Sequence, residues 1–529
     1  MNCVALRGAV LASATLSAIA IAGFAQAADV KAAPAYKAPA AIAPMSWTGF
    51  YTGLGLGFRT TRTDVTTTSA IVNGAPLDLP SLASSLPFDG TAFRASPYLG
   101  FNWQIHPRWV VGAEGDFGFA RQTTTRSGFE SSPAVGSLFS DTNDGFETKT
   151  TWDASLRGRL GFLLTPATMA YATGGIAWQH YSVSSACVGS ICSIFQFAPA
   201  AVTGTATNAG WTLGGGLETA LWGHWLARAE YRYADFGTSA FTISRSNTFG
   251  VGPDNFDTKL RTHTATFGLA YKFGNPVAPD SSGDALAAFA MKRASKTSSW
   301  GGPYAGLGLG ARMTRADLTT VSEVINIPRS LGVAPVGQSF DDTGFRSSAF
   351  AGYNWQFAPR WVAGIEGEVG FADETSKLAG FSFSPGTFQT TESPDSLAVH
   401  LDWDGSLRGR LGFLLNPATL VYAAAGPAWQ HFDVTSTCAG PNCQTGGQFT
   451  PAIVSNSTTK AGWTAGGGIE AAVGGPWLVR AEYRYADLGT MPFTISRASP
   501  IGAINPTIDN FDVKMRTHTV TFGLAYKFN

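Results

Sequence analysis

The chain has 529 residues, with 36 Lys and Arg balanced by 36 Asp and Glu for a formal net charge of zero. That balance excludes the basic surface a nucleic-acid partner requires. Charged residues make up only 14%, aromatics 12%, and glycine occurs 62 times, which suits strands that turn one face to hydrocarbon better than a surface wet all round.

In chain order, Arg7 precedes an apolar run from Ala9 to Ile21 and a small-x-small site at Ala25-Gln26-Ala27. This predicts a secretory signal peptide over residues 1–27. Residues 28–46, rich in Ala, Pro and Lys, read as an extended periplasmic tether. No later stretch supplies the roughly 18 consecutive apolar residues of a membrane helix. A mature chain living in a membrane must therefore do so as a closed barrel, which alone satisfies its backbone there without helices.

Residues 47–274 alternate with period two and predict eight strands, near 49–66, 91–105, 108–125, 149–165, 168–186, 208–222, 224–244 and 258–273. Three connections are tight, at His106-Pro107, Thr165-Pro166-Ala167 and Trp222-Gly223. Four are long, near 69–90, 128–148, 187–207 and 246–257. Short turns on one side and long loops on the other are the signature of an outer-membrane barrel with its short turns in the periplasm.

Residues 275–298 form a polar linker in which Ala285 to Lys296 could make a short amphipathic helix. Residues 299–529 then repeat the plan, with tight turns at Ala358-Pro359, Asn416-Pro417 and Gly475-Pro476. Gly53-Leu54-Gly55-Leu56-Gly57 returns as Gly306-Leu307-Gly308-Leu309-Gly310, and the block Ser155–Leu164 returns as Ser406–Leu415. Such colinear self-similarity predicts an all-β chain of two tandem eight-stranded antiparallel transmembrane β-barrels. The alternative is one merged sixteen-stranded barrel, wide enough to hold a channel.

Charge facing lipid near the membrane midplane costs about 2–4 kcal/mol per residue, so the strand charges must face the lumen. In the first copy these are Glu114, Asp116, Asp153, Arg157, Arg159, Glu218, Arg228, Glu230 and Arg232. Their counterparts are Glu366, Glu368, Asp404, Arg408, Arg410, Glu470, Arg480, Glu482 and Arg484. Two roles are open to them: an ion pathway lined by fixed charge, or a polar plug in a barrel too narrow for anything but side chains. The near balance of signs favours the plug.

Trp109, Trp152, Trp178, Trp211 and Trp225, with Tyr171, Tyr231 and Tyr233, fall near strand ends and suit an interfacial girdle. Cys3 leaves with the signal peptide; Cys187 with Cys192, and Cys438 with Cys443, are disulfide candidates in an oxidising compartment. Zinc is the poorer reading, because neither pair has the histidines that would complete a tetrahedral site, and no metal or cofactor is expected. His180-Tyr181-Ser182 has the His-x-Ser spacing of a lipid A deacylase, but the second copy reads His431-Phe432-Asp433 and lacks the nucleophile. His263 and His518 recur near the start of the eighth strand, as rim hydrogen-bonders or, less simply, haem ligands.

The opening Trp47-Thr48-Gly49-Phe50-Tyr51-Thr52-Gly53, the block Ala229–Tyr233 and the closing Gly268-Leu269-Ala270-Tyr271-Lys272-Phe273 together resemble a known family. It comprises the small outer-membrane barrels of alphaproteobacteria, OmpA and opacity-type surface proteins with major surface antigens and hemin-binding relatives. The resemblance implies a bacterial outer-membrane location among lipid and lipopolysaccharide, and a terminal aromatic strand similar to the signal read by the barrel-assembly machinery. It also implies a non-enzymatic role in envelope structure and surface interaction, with an unidentified host or extracellular ligand. A small porin or a haem-binding surface protein is the alternative. The tandem arrangement and the final Asn529 depart from the family pattern.

Overall fold

A computed structural model describes residues 46–69, 71–72, 75–76, 85–127, 145–188, 196, 198–245, 252–275, 299–325, 327–329, 337–379, 396–438, 453–498 and 507–528. The expected signal peptide, nearly all of the tether and linker, Cys192, Cys443 and Asn529 lie outside the described residues.

The first copy contributes β1 (Gly49–Ser69), β2 (Ser85–His106), β3 (Trp109–Ser127), β4 (Gly145–Thr165), β5 (Thr168–Ala186), β6 (Ala201–Ala220), β7 (Trp225–Ile243) and β8 (Asp254–Lys272). The second contributes β9 (Gly302–Ile325), β10 (Gly337–Ala358), β11 (Trp361–Ala379), β12 (Ser396–Asn416), β13 (Thr419–Thr437), β14 (Ile453–Gly474), β15 (Trp477–Arg497) and β16 (Thr507–Lys527). Each strand pairs antiparallel with its sequence neighbour. β1 also pairs with β8, placing Gly53 opposite Ala270, and β9 pairs with β16, placing Leu307 opposite Leu524. Each copy therefore closes on itself, and the merged sixteen-stranded barrel is excluded.

The tight connections fall where proline and glycine predict them. Gly223 and Gly475 take φ of +51° and +55°, a left-handed conformation that costs glycine nothing. On the opposite side the strands run further than their sequence pattern suggests. β2 begins at Ser85 rather than 91, β6 at Ala201 rather than 208, and β8 at Asp254 rather than 258.

The extra length has a physical reason. A barrel strand needs only about 9–11 residues to cross the bilayer, whereas these hold 19 to 24. Over the spanning part of β2, Phe93, Leu99, Phe101 and Trp103 point outward and are exposed, and on β4 Leu156 and Leu160 do the same. Nearer the long loops the pattern inverts. There Val65, Phe88, Phe146, Phe256 and Leu260 point inward and are fully buried, while Arg62, Asp64 and Arg261 lie on the outer face joined by ion pairs. The second barrel repeats the inversion with Leu318, Leu397, Val399, Phe432, Phe511 and Val513 inside and Asp317 paired to Arg516 at 2.7 Å outside. Above the hydrocarbon the outer wall meets water, so the apolar side chains gain by turning inward, as in a soluble protein.

The periplasmic mouth is stoppered as well. Trp47 folds under the first barrel, is 1% exposed, and donates from Nε1 to the Pro166 carbonyl at 3.1 Å. Val110, Met169 and Leu226 pack with it. Trp300 repeats the arrangement on Pro417. The lumen thus has three layers: an apolar stopper, a charged middle and an apolar upper core.

Both barrels belong to one compact unit, Met45–Asn529, and touch through their outer walls. Phe58 of β1 stacks on Tyr483 of β15 with centroids 5.1 Å apart. Thr60 Oγ1 lies 3.1 Å from Met313 Sδ, and Arg62 bridges to Asp342 at 2.9 Å. Near the periplasmic turns, Thr219 and Thr419 share a hydroxyl bond at 3.3 Å and Asn416 donates to the Ala220 carbonyl at 3.2 Å. The two copies differ at most of these points. Phe58 corresponds to Ala311, Met313 to Thr60, Asp342 to Gly90, and Thr219 to Ala471.

Candidate functional site: the charged lumen

Alternation along β3, β4, β6 and β7 brings Glu114, Asp116, Asp153, Arg157, Arg159, Glu218, Arg228, Glu230 and Arg232 inside, all buried. They form one connected network. Glu114 accepts from Arg157 at 2.6 Å, Arg228 at 2.5 Å and the Tyr51 hydroxyl at 2.8 Å. Glu230 accepts from Arg157 at 2.7 Å and Tyr171 at 3.0 Å. Asp116 accepts from Arg232 at 2.7 Å and from Arg94 and Ser155. Glu218 accepts from Arg159. Asp153 gathers three guanidiniums, from Arg59, Arg94 and Arg232.

The second lumen is built alike from Glu366, Glu368, Asp404, Arg408, Arg410, Glu470, Arg480, Glu482 and Arg484, all buried. Glu366, Glu368 and Glu482 lie close enough to grip a cation, but a side-chain cation is already among them. Arg408 donates to all three at 2.5–2.7 Å. Asp404 accepts from Arg346 at 2.6 Å, Arg312 at 3.0 Å and Arg484 at 2.8 Å, and Glu470 accepts from Arg410 at 2.9 Å. Charge-assisted, often two-pronged bonds of this kind suit guanidinium. They also meet the need that buried charge be paired, since an isolated ion in a low-dielectric interior is costly.

Sequence reasoning missed several members of each network. Arg59 and Arg94, with Tyr51 and Tyr98, complete the first; Arg312 and Arg346, with Tyr304 and Tyr422, belong to the second. The parity was there to be read. Tyr51, Gly53, Gly55, Gly57 and Arg59 share one face of β1, and the glycines hide its polarity. Gly118 and Gly370 are the space for the Arg94 and Arg346 guanidiniums, since a Cβ at either would collide with them. Glu374 was also missed; it accepts from Arg312 at 2.9 Å and stands where the first copy has Gln122.

Three other expectations change place. Tyr171 is not in a girdle. It lies 6% exposed inside the barrel, under the Arg159 guanidinium at 4.1 Å, because it sits on the inward parity of β5. Trp109, Trp152, Trp178, Trp211 and Trp225 do lie on the outer face. His263 and His518 are not at a rim. Once the eighth strand begins at Asp254, His263 falls in its middle, on the outer wall that faces the other barrel, bonded through Nδ1 to the Tyr231 hydroxyl at 2.7 Å. His518 bonds Tyr483 in the same way. His180 lies flat on Trp152 and its Nδ1 bonds Thr207 at 2.8 Å. Cys187 and Cys438 are both buried at strand ends, and their expected partners lie outside the described residues.

The closed antiparallel barrels, the outward apolar belt and the inward charge define a class: transmembrane barrels of the outer membrane. Comparison with known proteins agrees. Residues 15–273 and 285–528 each match the family model for an outer membrane protein beta-barrel domain, and the chain belongs to that family, in tandem duplicate. A 31 kDa outer-membrane immunogenic protein of Brucella melitensis is 31% identical over 232 residues, 43% of this chain and 84% of the relative. A 25 kDa outer-membrane immunogenic protein of Brucella abortus is 28% identical over 230 residues, 44% of this chain and 80% of the relative. The outer membrane protein OprG from Pseudomonas aeruginosa matches at 15% identity, covering 43% of this chain and 96% of that one, with a TM-score of 0.29.

Proposed function

We propose that the chain is a non-conducting, non-catalytic surface protein of the bacterial outer membrane. Its two sealed barrels anchor long extracellular loops among lipid and lipopolysaccharide, and the loops engage a partner outside the cell. One observation carries the reading: the lumen is filled at three levels, by the Trp47 stopper, the paired charges and the apolar upper core. An ion would have to displace guanidiniums already bonded to every carboxylate it could use. The immunogenic character in the names of the Brucella relatives is consistent with surface display. In this reading Cys187–Cys192 and Cys438–Cys443 brace the base of one loop in each barrel, and the aromatic β8 and β16 are what the barrel-assembly machinery recognises.

Single-channel recording in planar bilayers tests the proposal. Purified, refolded protein is expected to give no stable openings; long-lived, ion-selective openings would replace the plug with the small-porin reading.

A further inference from the structure

The two barrels do not touch along their whole height. Between the upper contact, Phe58 on Tyr483, and the lower one, Thr219 with Thr419, their walls diverge around a groove of about 520 Å³. Leu164 and Leu217 line it from the first barrel, and Leu307, Leu309, Phe522 and Leu524 from the second. Leu164 is one residue from the periplasmic end of β4 and Leu524 three from that of β16, so the groove lies in the periplasmic half of the bilayer.

We infer that this groove is a binding site for one acyl chain of a periplasmic-leaflet phospholipid, held between the barrels as part of the folded protein. Apart from Tyr171, Tyr231 and Arg480 the lining is apolar or glycine, so the groove offers water few partners and hydrates poorly. Left empty, its walls would forfeit their dispersion contacts. The hydroxyl, amide and aromatic contacts at either end keep the barrels from closing on it. Leu307, Leu309 and Leu524 of its lining are exposed, like the lipid-facing leucines elsewhere on the wall, and its volume falls in the roughly 300–1,000 Å³ range of small-ligand sites. Its depth selects the occupant: lipopolysaccharide resides in the opposite leaflet, and phospholipid tails fill this one.

The test uses the full mature chain, refolded into vesicles of phosphatidylethanolamine and lipopolysaccharide, then exchanged into mild detergent and weighed by native mass spectrometry. Retained phosphatidylethanolamine is expected on the wild-type chain. Leu217→Trp with Leu307→Trp, which fills the groove, should abolish it, whereas Leu156→Trp on the open lipid face should not. A wild-type chain that retains no lipid, or only lipopolysaccharide, overturns the site whether or not the filled variant folds. Equal retention by a folded groove-filled variant overturns it too.

Discussion

The membrane-level and upper parts of each barrel wall obey opposite rules. At membrane level Leu156 and Leu160 face out while Arg157 and Arg159 face in. A few turns of the ladder higher, Val65 and Phe88 face in while Arg62 and Asp64 face out. The backbone is the same continuous ribbon in both. What changes is the solvent outside it, and the side chains follow the solvent rather than the fold. The lesson is that a barrel wall records the height of the bilayer in the parity of its apolar residues.

That comparison can be broken by substitutions matched in kind but not in height. The largest effect is expected for Arg408→Ala, which leaves Glu366, Glu368 and Glu482 facing one another. Removing one partner from such a buried network costs about 3–5 kcal/mol, measurable by urea unfolding in lipid vesicles. Phe88→Ala in the upper core should cost a similar amount, about 3–5 kcal/mol, because it opens a cavity; a small loss there would mean that the upper lumen is water-filled. Leu156→Arg on the lipid face should cost about 2–4 kcal/mol. Thr68→Arg on the outer wall above the belt should stay within about 0.5 kcal/mol. Equal penalties for these last two would erase the distinction between the levels. Between those two falls the seam, where Phe58→Ala removes a stacked pair worth about 0.5–1.5 kcal/mol.

Much of the membrane-level half was legible in the sequence. Strict alternation around Trp152–Leu164 and Arg228–Tyr233, proline at the tight turns and the doubled motifs gave strand number, turn side and the inward charges. The upper half was not, for two reasons. Its outer face is rich in threonine and serine, so β6 from Ala201 to Thr207 has no apolar contrast to mark it as strand. The inversion also makes an apolar residue there mean inside, where the same residue lower down means outside. Arg59 and Arg94 escaped because the nearest residues on their face of the strand, Gly55 and Gly57 on β1 and Ala92 and Ser96 on β2, carry no charge to mark it as the inner one. The seam escaped for a third reason: a lipid-facing residue and a barrel-facing residue are both simply apolar. Only comparison between the copies hints at it, since Phe58 faces Ala311 in the alignment and Met313 faces Thr60.

The most direct measurement is cysteine accessibility at three positions of β1 in refolded vesicles, with a membrane-impermeant maleimide. Thr68→Cys should label fast, because Thr68 is exposed on the outer wall above the belt. Leu56→Cys should resist labelling, because it faces hydrocarbon. Val65→Cys should resist as well, because it lies in the sealed upper core. Rapid labelling of Val65→Cys would contradict the account, since it would place water where the packed interior should be.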